Sequence, residues 1–346
     1  MPLRTPIGRR AFLQLGLTAA TCANPAPLRA GIAAQYLRLR ANKVLSELSV
    51  LARLPGDDVL TEGPACDRNG TVFFTHVRAS QILEWNPRRQ VLSVFRENSN
   101  NTNGMCFDAQ GRLLCCEGGS QARRITRQDM HTGAIEVLAD RYDGQPLAAP
   151  NDICVDRRGH IYFTARGGVD EYPGISPKAV YRIDPDGSLH RLLVEPRQIQ
   201  MPNGVEVSTD GRVLYVIETH PNAGRHRDIR AFDLDAAGQV SNERVVIDFY
   251  PGRSGDGMCV DAAGNLYVAA GLHRTRGTSE TLYTQPGIHV ISPAGKLLAF
   301  RETPDDILTN CTFGGDDLRT LYVTGGALLM SLRTAIPGSD IYRPQA

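Results

Sequence analysis

Two carboxylic acids and four carboxamides occupy one place in a phrase that recurs along the chain. Glu62, Asn103, Asn151, Asn203, Asp256 and Asn310 each stand before an apolar strand, a four-residue turn and a second apolar strand. Carboxylate and amide oxygens together suit a hard cation such as calcium, magnesium or manganese, and do not suit zinc or copper. Two carboxylates balance the charge of one divalent ion, while neutral amides add ligands without further repulsion. An oxygen-ligated ion in a channel polarises a carbonyl or phosphoryl oxygen, with a nearby carboxylate positioning the attacking water. One Asn before Gly is ordinarily a turn residue. Six polar residues in phase, two of them acids, point instead to a shared site.

The elements that must position them lie in the phrases themselves: GPACDRNGTVFFT, GMCFDAQGRLLCC, DICVDRRGHIYFT, GVEVSTDGRVLYV, GMCVDAAGNLYVA and CTFGGDDLRTLYV. In four copies the turn is Asp-x-x-Gly, where Asp caps the bend and Gly supplies the positive φ. The polar residues are spaced by 41, 48, 52, 53 and 54 residues, close to the length of a four-stranded propeller blade. Outer hairpins such as ILEWNPRRQVLSVF and IHVISPAGKLLAF fill the intervals. The sixth repeat has room for one further strand, and the apolar stretch Val44 to Leu54 lies unassigned before the first phrase. The prediction is an all-β, six-bladed β-propeller over residues 35–340, its ring closed by an N-terminal strand that completes the last blade. Closure removes exposed strand edges and brings the six side chains onto the axis.

Length and repeat phase predict one domain in the 346 residues. A net charge of +1 without a long basic run argues against nucleic acid as the main partner. No segment approaches the roughly 20 apolar residues of a membrane span. Arg9-Arg10 followed by AFLQLGLTAATCA reads as a twin-arginine export leader, assigned to residues 1–34, and predicts a periplasmic protein.

Cys106, Cys154 and Cys259 sit third after the polar residue in three blades, which predicts small, buried, free thiols. Cys115 and Cys116 point to opposite faces of one strand, no CxxC zinc pattern is present, and Cys22 falls in the leader. His76, Arg166, His220 and His273 each lie just past a second strand, where the chain turns toward a mouth of the channel. Glu206 takes the place of the channel cysteines and needs a partner there; it either orients a ligand or escapes to the rim. There is no G-x-S-x-G elbow and no P-loop.

The segments EGPACDRNG, APNDICVD, MPNGVEVSTDGRVLYV, GDGMCVDAAGNLYVA and TNCTFGGDDLRTLYVT together resemble the senescence marker protein (regucalcin), gluconolactonase and luciferin-regenerating-enzyme family, over residues 45–335. The resemblance implies a six-bladed propeller with a divalent ion, most often calcium, in the channel, and hydrolysis of a small-molecule lactone. Position by position it implies Glu62, Asn203 and Asp256 as metal ligands, with Asn151 a fourth ligand or a substrate contact. Asn103 is assigned to substrate and Asp256 to taking the proton of the attacking water. In one place the chain departs from the regucalcin-like pattern: Ala149 stands where an Arg would contact substrate, so that sugar-lactone pocket is not reproduced. The expected function is a metal-dependent lactonase. The alternatives are a diisopropylfluorophosphatase-like phosphotriesterase and a non-catalytic binding platform with a structural metal.

Overall fold

Each repeated phrase folds as an antiparallel hairpin, and an outer hairpin extends it to a four-stranded antiparallel sheet. The computed structural model describes residues 36–39, 43–120, 122–167 and 174–342; residues 1–34, where the sequence predicts a leader, and Cys22 within them lie outside. The inner strands are Thr61–Cys66, Thr102–Phe107, Pro150–Val155, Pro202–Val207, Gly255–Val260 and Leu308–Gly314. Each packs against the next around the ring, and the sixth packs against the first. The sixth sheet takes its outermost strand, Ser49–Arg53, from the N-terminal side, pairing antiparallel with Leu328–Arg333. Closure by this strand is as predicted, although only the second half of Val44–Leu54 forms it. Among the described residues no helix is long and apolar enough to cross a membrane.

Period-two alternation puts one apolar face of each sheet against each neighbour. The core is accordingly six clusters, one per blade interface. Phe73, Met105 and Cys115 join blades one and two, for example, and Tyr267, Phe313 and Val323 join blades five and six. Each fully buried Phe or Leu in them contributes roughly 1.5–3 kcal/mol. The outer strands keep Val91, Ile135 and Val245 exposed.

The polar residues prove to be the second or third residue of each inner strand and do not precede it. In every blade the pairing register shifts just there, as between Glu62 and Ala65 or Gly255 and Met258. This bulge turns the side chain toward the axis. The glycine that follows lets neighbouring inner strands close in: a Cβ on Gly63 would lie 2.2 Å from the Asn103 carbonyl oxygen, and one on Gly257 would lie 2.0 Å from Asn310 Cγ. Threonines on second strands tie the ring together, Thr75 Oγ1 donating to Asn103 O at 3.2 Å and Thr164 Oγ1 to Asn203 O at 2.7 Å.

Candidate active site

The bulges bring Glu62, Asn103, Asn151, Asn203 and Asp256 to one mouth of the channel, and its floor is a hydrogen bond across the ring. Asn310 Nδ2 of blade six donates to Asp152 Oδ1 of blade three at 3.0 Å, and Asp152 Oδ2 accepts from Val205 N at 3.2 Å. Asn310 therefore leaves the set of six to close the axis. Asp152 was missed in the sequence, although it left a trace: it stands where four other copies carry glycine. Burial pushes its carboxyl up to about 7.

Glu62 is buried, with Oε2 accepting from Gly63 N at 3.1 Å. Its carboxyl is raised well above the usual range, first by burial, then by the charges of Asp256 and Asp152. Asp256 is held on both oxygens, Oδ1 by Asn203 Nδ2 and Oδ2 by Arg253 Nη2. Arg253 also donates to Leu308 O at 3.3 Å. The sequence reading passed over Arg253, whose reach from the loop before blade five to blade six no spacing announces. Asn103 and Asn151 are half-buried, and among the described residues no hydrogen bond occupies their side-chain amides.

The four second-strand candidates separate. The Arg166 guanidinium enters the electrostatic field of Asp256 and Glu62 at the mouth. His220 Nδ1 accepts from Asn222 N of its own loop at 3.2 Å, and His273 Nε2 lies 2.8 Å from Thr303 O, beyond the last strand of the same blade, so both are engaged. His76 ends its strand with Nδ1 buried and without a partner, and burial lowers its imidazole.

On the far side of the floor a cavity of about 50 Å³ is lined by Cys66, Cys106, Cys154, Cys259, Cys311 and Glu206, among others. The rim reading for Glu206 is therefore wrong. It is 2% exposed, with Oε1 accepting from Val207 N at 2.9 Å. Burial first, and then the Glu206 carboxylate, raises the Cys106 and Cys154 thiols well above their ordinary range. All seven described cysteines are free, as expected. Cys115 and Cys116 do face opposite interfaces. Cys259 and Cys311 nonetheless approach to 3.5 Å between sulfurs, because Cys311 holds a different strand position from the others.

The donor set at the mouth fits a hard divalent cation. Glu62 and Asp256 repel one another, the Asn203 carboxamide stands beside Asp256, and among the described residues neither sulfur nor imidazole hydrogen-bonds either carboxylate. Among the described residues no group of three or more His, Cys, Asp or Glu side chains is arranged to hold a metal, so the amide oxygens must complete the set.

A family model described as SMP-30/Gluconolactonase/LRE-like region matches residues 60–327. A gluconolactonase of Zymomonas mobilis is 26% identical over 324 residues, covering 85% of this chain and 84% of its own length. A regucalcin of Danio rerio is 31% identical over 292 residues, covering 83% and 89%. The solved structure of a Xanthomonas campestris gluconolactonase superposes with a TM-score of 0.70 at 30% identity, covering 87% of this chain and 92% of the other.

Proposed function

This chain belongs to the SMP-30/gluconolactonase/LRE-like family, and we propose that it is a lactonase that opens a small lactone at the mouth of the propeller channel. The observation that carries the reading is the pairing of Glu62 and Asp256 with unengaged amides above a closed floor. The gluconolactonases among its relatives agree with it.

Glu62, Asn203, Asp256 and Asn151 are the residues that would hold a divalent ion, calcium by preference. Bound there, such an ion would supply polarisation of the lactone carbonyl. Asn103 and Asn151 orient the ring by hydrogen bonds to its oxygens. Asp256 takes the proton of the attacking water. Arg253 fixes its carboxylate plane by holding Oδ2, which leaves Oδ1, now on Asn203, as the oxygen turned to the channel. Water adds to the carbonyl carbon, the ring C–O bond breaks, and the leaving alkoxide is protonated to give the hydroxy acid.

The test is pH-indicator hydrolysis of sugar and aliphatic lactones, with calcium and after chelation. Asp256→Asn or Glu62→Gln is expected to lower turnover at least about 100-fold while circular dichroism reports intact sheets. Full activity in either variant, or turnover indifferent to chelation, rejects the assigned site. Activity on phosphotriesters alone would move the chemistry to that class. The leader supports a second proposal, periplasmic export; Arg9→Lys with Arg10→Lys is expected to retain the precursor in the cytoplasm on fractionation, and unaltered export would remove it.

A further inference from the structure

We infer that Arg166 is a substrate-recognition residue for an anionic group, so that the lactones this mouth takes carry a carboxylate beyond the ring. The inference rests on the lactonase reading above and names its substrate class.

Arg166 follows the strand Ile161–Ala165, and its backbone N–H donates to Ala149 O at 2.9 Å, which anchors it two residues before Asn151. The positions around its base rise no higher than a methyl group. A Cβ on Gly167 would lie 3.3 Å from Ala149 Cβ, and one on Gly118 would lie 3.9 Å from the same atom.

The guanidinium is half-buried, yet among the described residues no hydrogen bond or ion pair engages it. Two buried arginines show the usual alternative, in which protein acceptors take the guanidinium. Arg227 donates to His220 O, Pro221 O, Asn222 O and Pro251 O, and Arg182 grips both oxygens of Asp184. Of the carboxylates whose charge reaches Arg166, Asp256 is held by Arg253 and Asn203, Glu62 accepts from Gly63 N, and Glu218 accepts from Gln200 N and Met201 N through Oε2 while its Oε1 has no partner among the described residues; none of them hydrogen-bonds the guanidinium. A guanidinium offers five donors in a planar fork that matches a carboxylate bidentately. Withdrawn from water without an acceptor, it is costly, and a ligand carboxylate removes that cost. Arg276, within the field of Arg253 and Asp256, adds to the positive side of the same mouth.

Glucono-1,4-lactone and glucaro-1,4-lactone share a ring and differ in a hydroxymethyl against a carboxylate, which makes them a matched pair. The wild-type protein is expected to favour the glucarolactone in kcat/KM. Arg166→Gln is expected to reduce that preference about 10- to 100-fold, mainly through KM, and Arg166→Lys to restore part of it. An unchanged preference in Arg166→Gln, or a wild-type preference for the neutral lactone, overturns the inference. A calorimetric titration with glucarate needs no turnover and separates this claim from the lactonase reading. Tighter binding to wild type than to Arg166→Gln upholds the anion site even if no lactone is hydrolysed; equal binding, or none to wild type, sinks it.

Discussion

His289 has its proton placed by its two neighbours. Nδ1 lies 3.1 Å from Gly287 O, which can only accept, so Nδ1 carries the hydrogen and Nε2 accepts from Tyr36 Oη at 3.0 Å. Burial pushes the imidazole down to about 4 and the Tyr36 phenol up to about 12. Between pH 6.5 and 4 the unfolded chain therefore binds a proton that the folded one refuses. Stability from this residue is complete above pH 6.5 and falls toward pH 4, by roughly 3 kcal/mol at most. Glu218 works the other way: buried and raised to about 7, it is a contribution that fades as pH rises from the ordinary carboxylate range to 7. Comparing wild type with His289→Gln by urea unfolding cancels Glu218. The stability gap between the two is expected to close by about 3 kcal/mol between pH 7 and pH 4; a gap independent of pH would mean that His289 is solvated alike in both states. Local chemistry of this kind is hidden in sequence, since Tyr36 and Gly287 meet only after the ring closes. The same holds for Arg253 on Asp256. Glu62, Asn203 and Asp256 were legible because a sixfold phase converts sequence position into a place on the axis; Asp152 was not, because it stands outside the polar column, at a position that is glycine in four other copies.

At the level of strands, patterning was enough for the architecture and insufficient for the site's detail. Alternation, the Asp-x-x-Gly turns and the missing last strand each leave a mark on composition, so six blades and the closing strand Ser49–Arg53 could be anticipated. Gly70, Gly111, Gly159 and Gly264 do adopt positive φ, between 76° and 85°. The bulge at the polar residue left no comparable mark. It arises from packing six inner strands around one axis, where the strand must bend for its second residue to face inward. The glycines after Glu62, Asn103, Asn203 and Asp256, which open their phrases in the sequence, are the legible half of that device and serve as spacers between neighbouring inner strands. The short run Asp340–Tyr342 past the last blade carries no periodicity and was not foreseen at all.

That run gives the whole molecule two unlike ends. On the mouth side stand carboxylates, amides and arginines; below the bridge between Asp152 and Asn310 stands the thiol-lined cavity, which Ile341 reaches from the opposite face. The C-terminal turn is pinned there by Gly338 N on Leu318 O at 2.7 Å and Ser339 N on Val260 O at 3.1 Å, with an Arg157–Asp340 ion pair outside. The ring alone leaves an axial opening at each end, so the reagent-excluding element on this side must be the turn itself. A chain ending at Pro337 keeps all six blades and the Ala262 N to Pro337 O bond at 2.9 Å, yet loses the cap. In that variant Cys106, Cys154, Cys259 and Cys311 are expected to react with a small disulfide reagent at least about tenfold faster than in the full chain. The cause is access, since truncation leaves Cys106, Cys154 and Cys259 in a buried wall that disfavours their thiolates. Native-state labelling followed by mass spectrometry of the modified peptides measures it. Equal rates in the two chains would show that blade breathing, and not the cap, governs entry from this side.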